Sequence, residues 1–544
     1  MKKKILIVMT LVLLIILCSC SSGNTAVSQS KTAESVPQTE ENYSEATANE
    51  NNEAAKSDGL GGISLDKEEA NMVGNNESYL TIDENKEKYT EDGTLVTFSL
   101  KVDTSSYTNT VRYIESGNLP HADAVKTEEF INYFSYDEKM EIDKGPFALS
   151  AEVGKSPFDE NKKMAFLRVK TEDIDKDELP PSNLVFLIDT SGSMDSYDKL
   201  PLLKEAFSLL TETLDEDDRV SIVTYAGSSA VVLDSATGED KQRILKAINT
   251  LEAGGSTAGA DGIMTAYKLA EKNFIKDGNN RIMLASDGDF NVGISDLDEL
   301  ENLVAEKRDN GVYMSILGFG TGNLRDDIME TLSKNGNGNY SYIDSVSTAK
   351  KVLIDELGTN LFTVADDVKA QVEFNPETVK SYRLIGYENR ALKNEDFEDD
   401  KKDAGEVGAG TDIVAMFEIE LQGSGSDSGL KYSSEEDKKE PAYADELFEL
   451  RIRYKDPGQS ESKLIELPVG VKDIKGNNSS DYNFACSVAG FAHILRASDY
   501  AGDITIDRVI ELAKDSVGED KGGYRTEYIG TLEKCRDLMN RGVE

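Results

Sequence analysis

Histidine, cysteine and positive charge are all in short supply in this sequence. Its 544 residues hold two histidines, His121 and His493, and four cysteines. Two histidines so far in sequence from the Ser191/Ser193 pair set aside a Ser-His-Asp triad. The absence of any CxxC or Cys/His spacing likewise sets aside a zinc centre. No Walker A GxxxxGK[ST] is present. Ser196-Tyr197-Asp198-Lys199 and Ser347-Thr348-Ala349-Lys350 match SxxK, but that pattern is short and neither SDN nor KTG accompanies it. With 59 Lys and Arg against 102 Asp and Glu, the formal net charge is −43, which excludes the basic footprint needed for nucleic acid or anionic lipid headgroups. Aromatic residues make up 7% and charged residues 30%, so part of the chain is expected never to join a core. The length exceeds what one core serves, and two or three folded units with a solvated tail are expected.

The N-terminus has the only long apolar run. A basic start, Lys2 to Lys4, leads into Ile5 to Leu17 and then small polar residues. That run is short for a spanning helix and fits an export signal. Leu17-Cys18-Ser19-Cys20 resembles the lipobox of bacterial lipoproteins. The resemblance implies a signal peptide over 1–19, lipidation of Cys20, and a lipid-anchored protein facing outside the cytoplasm of a bacterium. An ordinary signal peptide or an uncleaved helix are the alternatives. With so acidic a chain, attachment to the membrane has to come from acyl chains, of which more than one is needed for a stable anchor. Residues 20–84 are Ser, Thr, Asn, Glu, Ala and Gly with few large apolar residues, and are expected to form a disordered linker. Of the remaining cysteines, Cys486 and Cys535 form either a disulfide or two buried thiols.

Beyond the linker the hydrophobic period changes three times. Residues 85–180 mix alternating strands (VTFSLKV, FALSAEVG, MAFLRVK) with a helix-like AVKTEEFINYF. Residues 181–360 alternate apolar strands with amphipathic helices, from NLVFLIDT and the three-and-four spacing of Leu200, Leu203, Phe207, Leu210 and Leu214 onward. Unbroken apolar strands between helices predict an α/β fold with a doubly wound, mostly parallel sheet covered on both faces. Residues 361–476 return to strands around a polar loop at 422–446, and 477–544 read as three helices. The α/β unit is expected to sit inserted in, or against, a β-rich unit built from 85–180 and 362–476.

In such a sheet, ligands bind at the carboxyl ends of the strands. Three stretches bring oxygens there: LVFLIDTSGSM with Asp189, Ser191 and Ser193; GGSTAGADG with Thr257; and LASDGDFNVG with Asp287. Two carboxylates and three hydroxyls make a hard, oxygen-only set suited to Mg²⁺, with Mn²⁺ or Ca²⁺ as alternatives. Taken singly, each could be a cap or turn residue. Asp261 and Asp289 read as solvated turn acids, DTSSY at 103–107 as structural, and the acids between Asp396 and Glu406 as a solvated loop without EF-hand spacing.

In order and spacing, DTSGS at 189–193, GGST and SDGD resemble the metal-ion-dependent adhesion site of von Willebrand factor type A (VWA) domains. The stretches FSLKVDTSSYTNTVRYIESGNLPHADAVKTEEFINYF and FNPETVKSYRLIGYENRALKNEDFEDDKKDAGEVGAG, with GFGTGNL, resemble the flanks of bacterial YfbK-like VWA lipoproteins. One departure is Thr411, where a His is expected. The resemblance implies direct metal ligation by Ser191 and Ser193, direct or water-mediated ligation by Thr257, and largely water-mediated contact by Asp189 and Asp287. One open position would take a carboxylate from a protein partner. The expected function is therefore adhesion or envelope assembly rather than catalysis. A Mg²⁺-dependent hydrolase and a structural envelope protein with a stabilising metal are the alternatives.

Overall fold

The computed structural model describes residues 77–541 apart from 102, 143–144, 175–178, 257–258, 289–296, 403, 424–442 and 444. At its centre lies a six-stranded sheet in the order Tyr340–Ile343, Tyr313–Phe319, Asn279–Ser286, Ser182–Asp189, Arg219–Tyr225, Ser229–Thr237. Every neighbouring pair is parallel except the last, where Ser229–Thr237 runs antiparallel along the edge. Alternate residues of the strand Ser182–Asp189 feed two separate cores. Leu184, Phe186 and Ile188 pack with Leu203, Phe207 and Ile244 on one face, where Phe186 stacks on Phe207 at 4.1 Å. Val185 and Leu187 pack with Ile263, Val304 and Leu332 on the other. The doubly wound α/β architecture expected from the apolar runs is what the chain forms.

The rest of the strands make two antiparallel sheets that share one core. One is ordered Lys88–Tyr89, Val379–Ile385, Asp412–Leu421, Lys163–Thr171, Phe147–Lys155; the other Ala391–Leu392, Leu95–Ser99, Thr363–Phe374, Glu446–Lys455, Ser462–Gly470. Phe98, Leu167, Val372, Phe374 and Phe417 fill the space between them. Both sheets take strands from before and after the central α/β segment, so that segment is inserted between the halves of a sandwich.

The strands Lys163–Thr171 and Asp412–Leu421 are buried on both faces. Their outward residues Met164, Phe166, Val414 and Met416 meet a helical layer. That layer joins Ser105–Glu115 and Thr127–Ile131 to Ser480–Arg496, Ile506–Asp515 and Tyr524–Arg541 through Tyr107, Phe130, Phe134, Phe484, Phe491 and Tyr528. The helix Ser480–Arg496 is buried along most of its length, which a helix apolar nearly all round requires. Cys486 and Cys535 lie within this layer as buried free thiols, and burial pushes both thiols up, which makes them poor nucleophiles. Among the described residues, no helix is long and apolar enough to cross a membrane.

A buried ionic cluster ties the central unit to this layer. Lys126 Nζ donates to Asp326 Oδ2 at 2.8 Å and Glu330 Oε2 at 2.9 Å and stands 3.5 Å from Glu129. Arg390 pairs with Asp103 at 2.6 Å and lies 3.4 Å from Glu330. Asp103 also accepts the Tyr340 N–H, so the DTSSY stretch is structural, as its sequence context suggested.

Candidate metal centre

Asp189 ends the strand Ser182–Asp189 and Asp287 directly follows Asn279–Ser286. These strands are adjacent and in parallel register, with Ile188 opposite Ala285, so Asp189 lines up with Ser286 and Asp287 follows one residue on, which brings both carboxylates to the carboxyl edge. The connections out of them run to opposite sides of the sheet. This is the topological switch point where open α/β sheets form their crevice.

Asp189 and Asp287 are fully buried. Asp189 Oδ1 accepts the Ser191 N–H at 2.8 Å and Oδ2 accepts the Ser286 hydroxyl at 3.3 Å. Burial pushes the Asp189 carboxyl up to about 6, against the hydrogen bonds from Ser191 and Tyr225 that favour its ionised form. Beyond it the chain turns so that Ser191 Oγ and Ser193 Oγ stand 2.9 Å apart. The turn is clamped by the loop that leads to Thr257: Gly254 N–H donates to the Thr190 carbonyl at 2.8 Å and Gly192 N–H to the Gly255 carbonyl at 3.1 Å. Thr257 and Asp289 themselves lie outside the described residues, as does Cys20. Asp261 is exposed at the start of the helix Gly259–Lys272, consistent with a solvated acid.

The residue that sequence reasoning missed is Lys199. Its Nζ donates to Asp287 Oδ2 at 2.7 Å, with the Lys199 side chain 8% exposed. In the sequence Lys199 stands out only as the last residue of an SxxK match that is set aside there. Ser196 donates to Asp198, and Lys199 turns inward. The other SxxK serine, Ser347, donates to Glu527. Among the described residues no cluster of three or more His, Cys, Asp or Glu is arranged to hold a metal ion. The donor set here is two carboxylates with two hydroxyls. A cavity of about 570 Å³, lined by Asp103, Asn339, Lys351 and Tyr524 among others, lies toward the opposite edge and includes none of these residues.

A second loop closes on the centre. Gly288, at φ +92°, has no room for a Cβ: Leu324 Cα and Arg325 N would be 2.7 Å away. The loop that presses on it is held from outside by Glu77, whose Oε1 accepts the Gly322 N–H at 2.9 Å. Arg112 grips Glu77 with two N–H groups at 2.8 Å each. Burial works against ionising Glu77, but Arg112, Tyr113 and Tyr79 outweigh it and hold the carboxyl at about 2, below its ordinary 4.5. A depressed acid stabilises the fold above its unfolded value and loses that contribution as pH falls toward its folded one. Glu77→Gln is therefore expected to cost about 1–3 kcal/mol at pH 7, a deficit that shrinks as pH drops from 4.5 toward 2. Urea unfolding of both chains across that range measures it.

A parallel sheet with one antiparallel edge strand and a DxSxS turn at its switch point defines a VWA-type domain. The family model for the von Willebrand factor type A domain matches residues 183–355. A model described as von Willebrand factor matches 73–165, and one described as uncharacterized protein YfbK, C-terminal, matches 359–538. Uncharacterized protein YfbK of Escherichia coli (strain K12) is 43% identical over 463 residues, covering 84% of this chain and 80% of that protein. The chain belongs to the YfbK family of VWA-domain proteins. More distantly, inter-alpha-trypsin inhibitor heavy chain H3 of Mesocricetus auratus is 22% identical over 271 residues, covering 48% of this chain and 29% of that one. Solved structures that align with it include a von Willebrand factor type A protein from Catenulispora acidiphila, at TM-score 0.38 and 14% identity over 71% of this chain and 89% of that one. Membership in this class carries a protein-interaction or adhesion type of role.

Proposed function

We propose that this protein is an envelope-anchored module that binds a protein partner through a divalent cation. Asp189, Ser191, Ser193, Thr257 and Asp287 would hold the ion, with Mg²⁺ the expected species and Mn²⁺ or Ca²⁺ as alternatives. The ion would supply an electrophilic site for a carboxylate of the partner. Lipidation at Cys20 would anchor the chain at the cell surface, and residues 20–84 would act as its tether.

The observation that carries this reading is the hydroxyl pair. Ser191 Oγ and Ser193 Oγ are 2.9 Å apart. Neighbouring oxygens of an octahedron with Mg–O bonds of roughly 2.0–2.1 Å stand about 2.9 Å apart. The two hydroxyls are hydrogen-bonded to each other at a spacing that also matches one edge of a Mg²⁺ shell, next to two buried carboxylates. The hydrolase reading has less support: neither His121 nor His493 follows a strand of this sheet, and Lys199 is engaged by Asp287. A purely stabilising metal is also disfavoured, because Lys199 already gives Asp287 a cationic partner.

Crosslinking with mass spectrometry on intact cells, with and without EDTA, tests the proposal. At least one protein crosslinked in the presence of metal is expected to vanish with EDTA and with Asp189→Asn. A crosslinking pattern indifferent to both would sink it.

A further inference from the structure

We infer that Lys199 sets the charge of the metal centre, weakening its hold on the cation so that the loaded centre attracts an anion. The inference rests on the metal reading above and concerns what the loaded site selects. The juxtaposition is specific. Lys199 opens the helix Leu200–Glu212, and its ammonium reaches a buried carboxylate 88 positions away in sequence. Its stem lies against Gly320, at φ +71°, where a Cβ would come within 2.3 Å of Lys199 Cγ and Cε. Only a residue without a side chain leaves that path open, and the lysine is seated there rather than swinging in solvent.

The buried charges are Asp189 and Asp287 against Lys199, a sum of −1. A divalent ion turns this to +1, which one carboxylate neutralises. Without Lys199 the loaded centre would sum to zero and offer an incoming anion no net attraction. In a poorly screened interior, one unit of charge at a few ångströms is worth far more than at the surface. The same ammonium repels the cation, so the two affinities are traded against each other. The exposed residue beside it sharpens the kind of partner: Tyr197 is 86% exposed on the loop that carries Ser193 and Lys199. An exposed aromatic ring on that loop suits a partner whose carboxylate is flanked by an apolar side chain.

The test uses the full chain with Mn²⁺ as the metal probe and acetate as the anion probe. Titration with Mn²⁺, followed by water-proton relaxation, gives the metal affinity, and acetate displacing metal-bound water gives the anion affinity. Lys199→Met is expected to bind Mn²⁺ about tenfold more tightly and acetate about tenfold more weakly, whereas Lys199→Arg, which keeps the charge, stays within about threefold of the native chain in both. Lys199→Gln serves where the Met variant fails to fold, as judged by circular dichroism. Metal affinity unchanged or weakened in a folded, neutral variant would overturn the role of Lys199 and leave the metal reading intact. No Mn²⁺ binding by the native chain would overturn the metal reading itself.

Discussion

Lys126→Met is expected to cost about 3–5 kcal/mol of stability at neutral pH, the largest effect of any single substitution considered for this fold. The reason is asymmetry. Asp103, Glu129, Asp326 and Glu330 are all buried, and among the described residues Lys126 and Arg390 are the cations that form ion pairs with them. With more acids than bases, the native cluster already treats its carboxylates unequally. Burial raises Glu129, with Lys126 opposing, so that it tends to keep its proton. Glu330 is held at about 2, because Lys126 and Arg390 outweigh its burial. Taking Lys126 away leaves Asp326 without its ion-pair partner and Glu330 with Arg390, at 3.4 Å, which Asp103 also engages.

Such acids escape by binding protons. Their folded pKa values then lie above the unfolded ones, so the variant is most stable in acid and loses ground as pH rises through the raised values. Urea unfolding at pH 5 and pH 8 is the check. The gap between native and variant chains is expected to be clearly larger at pH 8, and an equal gap at both would mean that lost packing, not exposed charge, governs the cost. Because the cluster joins the helix Asp326–Asn335 of the central unit to the helical layer, the variant is also expected to unfold less cooperatively.

The second large effect is on binding. Asp189→Asn is expected to reduce divalent-cation affinity at least 100-fold by calorimetry while leaving the metal-free fold as stable as before, or more so. Asparagine keeps a side-chain oxygen for the Ser191 N–H, removes the charge, and puts an NH2 group where the second oxygen accepted the Ser286 hydroxyl, which can rotate to accept instead. That charge is unfavourable in the folded state, since burial lifts the Asp189 carboxyl to about 6. A group that destabilises the fold and serves a site is a common form of the exchange between stability and function. A variant that melts well below the native chain without metal would show that Asp189 holds the sheet edge together, and would argue against a site kept for a ligand.

How far the sequence reaches can be seen at Asp189 and Lys199, ten residues apart. Asp189, Ser191 and Ser193 were legible because their geometry is local: a strand end and a tight turn place them whatever the rest of the chain does. Asp287 was legible because a parallel sheet forces its strand ends to one edge. Lys199 was visible as a letter in an SxxK pattern, yet its partner lies 88 residues away, and nothing near Lys199 names it. The same holds for the cluster at Lys126, whose bonds to Asp326 and Glu330 span 200 and 204 residues.

The helical layer marks the same boundary on a larger scale. Periodicity separated 85–180 from 477–544 as different segments, but their helices share one core on the outer face of a sandwich sheet. Apolar period and turn chemistry act over a few residues, so they determined the order of strands and helices, the α/β unit and the side-chain oxygens gathered at its carboxyl edge. Which charges meet inside the protein depends on how layers stack after the chain has returned on itself. Only the tertiary structure could decide that a lysine beside the candidate metal centre would face Asp287, because in the low-dielectric interior a buried carboxylate needs a partner and the partner came from another strand's connection.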